Sequence, residues 1–256
     1  MAEGTVTTRA PSQLAAGSFA APAWVWIFAF VTAATTFHVA LHWKVHAAFS
    51  IHQAGLAFFL MVNLMINFWE LGLLRYGDRI RDDYLETRDP FRGRELARAN
   101  DVFLQRIPLL GALSLSRWTG IWSVYALFDR GYSRRGSFGF NIDVCNGIST
   151  LIPGVLFAYG MTYEILPARA LGILGIAMFW QMFYGTAVYF FQFFHAGRYK
   201  GHAPRDIALV VGLSNSLWFL FPLWGLAASV WLIFEDSLRL FTSPQTTSLA
   251  SFFLGG

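Results

Sequence analysis

Trp180 to His202 reads WQMFYGTAVYFFQFFHAGRYKGH, and Gly212 to Glu235 reads GLSNSLWFLFPLWGLAASVWLIFE. Each stretch belongs to an apolar run near the ~20 residues that cross a bilayer as a helix, and a short basic turn joins the two. A few polar side chains stand at helical spacing in this otherwise hydrocarbon-like sequence. Gln181, Gly185, Val188, Gln192 and His195 follow one another by four, three, four and three residues, so they share a helix face. Asn215, Trp218 and Pro222 do the same on the second helix. A polar group taken out of water costs roughly 1–3 kcal/mol unless it is partnered. Such a stripe is therefore expected to face a neighbouring helix or a cavity, and it is the candidate binding wall.

Composition points the same way. Of the 256 residues, 55% are hydrophobic and 13% charged, about half the charge of an ordinary soluble domain. Mean hydropathy is +0.47, which indicates a multi-span membrane protein whose first partner is the lipid bilayer. The formal net charge of +4 comes mostly from residues between the apolar runs, where membrane topology and anionic head groups account for it. No nucleic-acid partner is implied. The one cysteine, Cys145, excludes an intrachain disulfide and a cysteine-rich metal site.

The fold class expected is an all-α, five-helix membrane bundle over residues 23–235. Its spans are expected at about 23–42, 52–74, 140–163, 168–195 and 206–235. Residues 1–22, rich in Ala, Ser, Thr and Gly, read as a disordered tail, and residues 236–256 as a C-terminal tail. A polar insertion at about 76–138 separates the second and third spans. Arg75 to Phe138 holds twelve arginines and no lysine, with both signs of charge interleaved, which reads as a solvated loop with a surface helix. Within it, PLLGALSLSRWTGIWSVYALFDRGYS is apolar but broken by Arg117 and Arg130, as in a segment lying on the membrane surface or partly inserted. The charge in the loops after spans two and four places them on the cytoplasmic side.

Two groups of polar residues could carry chemistry. His38, His42 and His46 repeat every four residues, a spacing also found in membrane di-iron enzymes. Six histidines are too few for those multi-box sites, so these three are expected at the head-group level, bonded to water or lipid phosphate. Asn63, Asn67 and Glu70 fall at i, i+4 and i+7, one polar stripe within the second span. A carboxyl group out of water favours its neutral form and is a usable proton donor, which makes Glu70 the leading functional candidate. In the third span Asn146, Thr150 and Pro153 share a face, preceded by Asp143. Tyr184 and Tyr189 on the fourth are candidates to bond a substrate oxygen, or simply to satisfy neighbouring helices. No metal, nucleotide or redox cofactor is implied.

The ordered set of motifs resembles the emopamil-binding protein family, the sterol double-bond isomerases and relatives that share the five-helix EXPERA domain. The resemblance rests on YGTAVYFFQFFHAGRYKGH followed by NSLWFLFP, on WSVYALFDRGYS, and on FNIDVCNGIST, and it spans most of Trp24 to Glu235. It implies a membrane enzyme that shifts a ring double bond through a carbocation, with a sterol or terpenoid as lipophilic substrate. It also implies the endoplasmic reticulum for a eukaryotic source, and a homodimer as the default assembly. Such chemistry needs an acid, a base, aromatic faces over the cation and a dry site.

Carried over by position, the resemblance makes Glu70 the acid, with Asn215 orienting it and Trp218 covering the cation. It makes Trp122 and Tyr125 part of the substrate site; the helical spacing adds Asn63, Asn67, Asn146, Gln181 and Gln192 as candidate substrate-binding residues, beside Tyr184 and Tyr189. Two positions depart from the pattern. The family's helix-two histidine is Ile66 here, and its second glutamate is Gly147. Asp143, one turn before Gly147, is the candidate replacement acid. Three functions follow: a sterol or terpenoid isomerase, a polyprenoid or epoxide cyclase started by one acid, and a non-catalytic lipid-binding protein.

Overall fold

A computed structural model describes residues 19–243, and among these the chain is almost entirely helical. Helix α1 spans Ala23–His46 and α2 spans Ile51–Thr87. Two short amphipathic or buried helices follow, α3 at Glu95–Leu104 and α4 at Thr119–Phe128. Then come α5 (Phe138–Ser149), α6 (Leu151–Gly160), α7 (Ala168–His195), α8 (Pro204–Glu235) and the single turn α9 (Arg239–Thr242). Among the described residues α1, α2, α7 and α8 are each long and apolar enough to cross a membrane, and α5 with α6 makes a fifth if the bent pair is one span. The chain is an all-α integral membrane protein.

The third expected span is broken, with α5 and α6 inclined by 48° about Thr150. Pro153 gives the reason, because its ring cannot donate an N–H and clashes with the carbonyl four residues earlier. The last span also departs from regular geometry, since Ala208–Leu213 forms a π-helical turn near the start of α8. Such wide turns are often found at functional sites.

Helix α2 is the axis of the molecule. It packs on α1, α4, α5, α6 and α8, and Leu56, Phe59, Leu73 and Ile80 on it are fully buried. Helix α1 is peripheral, with Phe28, Phe30 and Phe37 exposed toward the expected lipid. Helices α7 and α8 form the closest pair. A Cβ added at Gly172 would stand 2.7 Å from the Ser229 carbonyl oxygen, and one at Gly225 2.5 Å from the Phe179 ring. Small residues at these positions let the two backbones approach, a packing common in membranes.

Four expectations change. The proposed tail over residues 1–22 ends earlier: Ala20–Pro22 forms a short antiparallel pairing with Arg106–Pro108, while residues 1–18 lie outside the described residues. The proposed C-terminal tail begins with an ordered turn, since Leu240 and Phe241 are buried. Helix α2 runs on to Thr87, bending at Tyr76 (φ −120°, ψ 24°) where the apolar run gives way to charge. The expected surface segment around Trp118–Phe128 is largely core, because its apolar residues pack onto α2.

The histidines expected to bond water or lipid phosphate are held within the protein instead. His38 and His42 are buried. His42 pairs with Thr162 Oγ1 at 3.1 Å and with the Phe241 carbonyl at 2.8 Å, and His46 pairs with the Thr162 carbonyl at 2.7 Å. The two imidazoles tie α1 to the α6–α7 turn and to α9, where backbone carbonyls need partners.

Candidate functional site in the intramembrane cavity

A cavity of about 360 Å³ lies between α2, α4, α5, α7 and the first half of α8, with α3 closing one side. That volume is within the range of small-molecule sites. Glu70, Asp143, Asn146, Trp122, Tyr125, Gln181, Tyr189, Asn215 and Trp218 all line it. Residues from five separate helices, far apart in the chain, therefore share one space. Ile66, Ile121, Ile142 and Met182 supply much of the apolar wall. Phe103 and Leu209 also sit on the wall and remain 37% and 43% exposed.

Glu70 is 2% exposed, and its two carboxylate oxygens accept from Asn146 Nδ2 at 3.1 and 2.9 Å. The neighbouring bonds are best satisfied with the Asn67 amide nitrogen toward Glu70 Oε2 at 3.2 Å and its oxygen toward the Leu151 N–H at 3.2 Å. Asn63 Nδ2 donates to Thr150 Oγ1 at 3.1 Å, while Trp218 Nε1 donates to Asn63 Oδ1 at 2.9 Å. These side chains join α2, α5 and α8 through one buried network. A buried network of this kind is stable only when its members are satisfied, and it fixes their positions.

Asp143 belongs to a second cluster. Tyr132 donates to Asp143 Oδ2 at 2.7 Å. Asn215 Nδ2 donates to the Tyr125 hydroxyl at 2.7 Å, and the Tyr125 and Tyr189 hydroxyls lie 3.0 Å apart. Trp122 stacks on Tyr132 at 5.5 Å and donates its indole N–H to the Trp69 carbonyl at 2.8 Å, which seats α4 against α2. Burial raises the Tyr125 and Tyr132 hydroxyls above the ordinary phenol range, so both keep their protons at neutral pH.

Gly147 explains one departure noted in the sequence. A Cβ there would stand 2.7 Å from Glu70 Cβ and 3.2 Å from Glu70 Oε2. The helices carrying the two positions touch so closely that no larger side chain fits at residue 147, and Asp143, one turn earlier, reaches the cavity instead. Ile66, at the other departing position, is part of the apolar wall.

Several expected site residues lie elsewhere. Asn63 and Asn67 do not line the cavity; they stand behind Glu70 and Trp218 and hold them. Tyr184 is 56% exposed and stacks on Trp180 on the outer surface. Gln192 also falls outside the lining, its Oε1 buried with no hydrogen-bond partner among the described residues. Successive residues on a helix turn by about 100°, and the wall of α7 is the Gln181, Gly185, Tyr189 line rather than the Val188, Gln192, His195 end of the expected stripe. Tyr132 escaped the sequence reading, because α4 ends at Phe128 and the separate turn that carries Tyr132 keeps no helical spacing from Tyr125. The Arg198–Asp129 pair, 2.8 Å apart with Asp129 wholly buried, could not be seen without the fold.

Among the described residues no group of three or more His, Cys, Asp or Glu side chains is arranged to hold a metal ion. No family model, curated protein or solved structure matches this chain.

Proposed function

We propose that the protein is a membrane-embedded isomerase or cyclase that acts on a sterol or terpenoid by acid-initiated carbocation chemistry, in the manner of the emopamil-binding family it resembles. One observation carries this reading: Glu70 from α2 and Asp143 from α5 face the same cavity, whose other walls are chiefly apolar and aromatic. The exposed apolar side chains of Phe103 and Leu209 on the wall suit a lipophilic substrate drawn from the bilayer.

In the isomerase form, the Glu70 O–H protonates one carbon of a double bond. The π electrons form the new C–H bond, and the neighbouring carbon becomes cationic. The Trp218 and Trp122 side chains line the same space and offset the positive charge. Asp143 then removes a proton from an adjacent carbon, and that C–H electron pair becomes the new double bond. Substrate and product have equal mass, and one proton passes back from Asp143 to Glu70 through solvent. In the cyclase form a second double bond attacks the cation before the final deprotonation. Asn146 and Asn67 orient the Glu70 carboxyl, and Tyr132 orients that of Asp143.

The test is mass spectrometry of extracts from cells expressing wild type or Glu70→Gln, supplied with a panel of sterols and polyprenoids. The expected result is a product of unchanged mass and altered retention, reduced about 100-fold or more in Glu70→Gln. Its NMR structure separates isomerisation from cyclisation. If no product forms while both proteins bind a sterol-like amine equally, the catalytic reading falls and a lipid-binding role takes its place.

A further inference from the structure

The corner of the cavity formed by Tyr125, Tyr189 and Asn215 holds more hydrogen-bond donors than the protein uses. Asn215 donates to the Tyr125 oxygen, and a single proton lies between the Tyr125 and Tyr189 hydroxyls. Two hydroxyls carry two protons. Whichever way the shared bond runs, one O–H is left over, and among the described residues neither hydroxyl makes another hydrogen bond to the protein. Both hydroxyls belong to residues of the cavity wall.

We infer that this corner is a donor site for a neutral acceptor oxygen, a carbonyl or ether-type oxygen, on the lipophilic ligand. The ligand is thus an oxygenated lipid held by its oxygen at the Tyr125–Tyr189 corner, with its hydrocarbon body along the apolar wall. Charge argues for a neutral group. Among the described residues the wall holds two carboxyl groups and no lysine, arginine or histidine, so a phosphate or carboxylate on the ligand would find no cation and would meet the Asp143 carboxylate as a like charge. An ammonium group would have no use for the spare donor. Asn215 also donates to the Val211 carbonyl at 2.8 Å, which ties the corner to the π-turn of α8 and sets its position. A hydrocarbon of the same shape leaves the spare O–H buried and unpaired, and a site built around such a donor rejects it.

The inference rests on the proposed reading of the cavity as a lipophile site, and the test separates the two. Cholestanone and cholestane, which differ only in the ketone, are titrated against the full-length protein in lipid nanodiscs, with fluorescence of the cavity tryptophans as readout. The expected result is binding of the ketone about tenfold tighter than the hydrocarbon. Each single variant, Tyr125→Phe or Tyr189→Phe, keeps one free hydroxyl and so keeps most of the preference. The double variant, which leaves only the Asn215 amide N–H as a donor at the corner, loses most of the preference, read as the ratio of ketone to hydrocarbon affinity on the same protein. A second measurement uses wild type alone, so it stands even if the double variant fails to fold: the infrared C=O band of bound cholestanone, isotope-edited, moves to lower frequency than in hydrocarbon solvent. Equal binding of ketone and hydrocarbon, or an unshifted band, overturns the inference and leaves the lipophile reading intact. Binding of neither compound overturns both.

Discussion

At the scale of single residues, the site depends as much on what is missing as on what is present. Gly147 lacks a side chain where α5 meets α2, and that absence lets Glu70 lie beside Asn146. An added methyl group would press on Glu70 Cβ, which belongs to a helix and cannot swing away. Gly147→Ala is expected to destabilise the protein by about 1–3 kcal/mol, read as a lowered thermal midpoint in detergent. Gly147→Glu, which would install the second glutamate of the emopamil-binding pattern, is expected to disrupt the fold rather than restore a carboxyl pair. A midpoint unchanged in Gly147→Ala would show that the two helices sit farther apart than described. The polar stripe of Asn63, Asn67 and Glu70 was legible from spacing alone. Which of the three faces the cavity was not, because they share one face of α2 and differ mainly in height along its axis, which only the neighbouring helices distinguish.

At the scale of elements, the cavity exists because five helices are held at unequal distances. The glycine-lined contact of α7 with α8 is tight, whereas the π-turn Ala208–Leu213 supplies Leu209 and Val210 to an irregular wall of the cavity. The end of α4 is fastened to the α7–α8 turn by one ion pair. Arg198 Nη1 donates to both oxygens of Asp129 at 2.9 and 2.8 Å, and the Gly131 N–H adds a third bond at 2.8 Å. Removing one partner of a buried pair leaves the other charge uncompensated, at a cost of about 3–5 kcal/mol. Arg198→Ala should therefore unfold at markedly lower temperature than wild type, and Asp129→Asn in the same background should recover part of the loss. Equal midpoints for wild type and Arg198→Ala would mean that the pair is screened by water. Neither Asp129 nor Arg198 stood out in the sequence, since they lie 69 positions apart.

At the scale of the whole molecule, charge is divided between the two ends of the bundle. The α2 extension, the arginine-rich insertion and the Arg198–Arg205 turn all lie at the end where α2 and α7 finish, while the opposite end holds Lys44, Arg169 and Arg239. Basic loops favour the cytoplasmic side. In a Cys145→Ser background, Lys200→Cys should react with a membrane-impermeant maleimide only after the cytoplasmic face is exposed. Lys44→Cys should react from the other face. Reversed labelling would invert the topology without altering the fold.

The sequence by itself determined that the chain is helical and membrane-embedded, because hydrocarbon-like runs near 20 residues leave the backbone no stable alternative to the helix in lipid. It also determined the polar stripes and the boundaries of α7 at 168–195, since local periodicity and length suffice for both. Only the tertiary structure decided that Trp118–Phe128 is core rather than surface, that Tyr184 and Gln192 lie off the cavity, and that Tyr132 bonds Asp143. Those facts depend on how far each helix is rotated about its own axis and how closely it meets its neighbours. Rotation and distance are set by contacts between residues far apart in the chain, such as Gly147 against Glu70 and Trp218 against Asn63, and no local pattern encodes them.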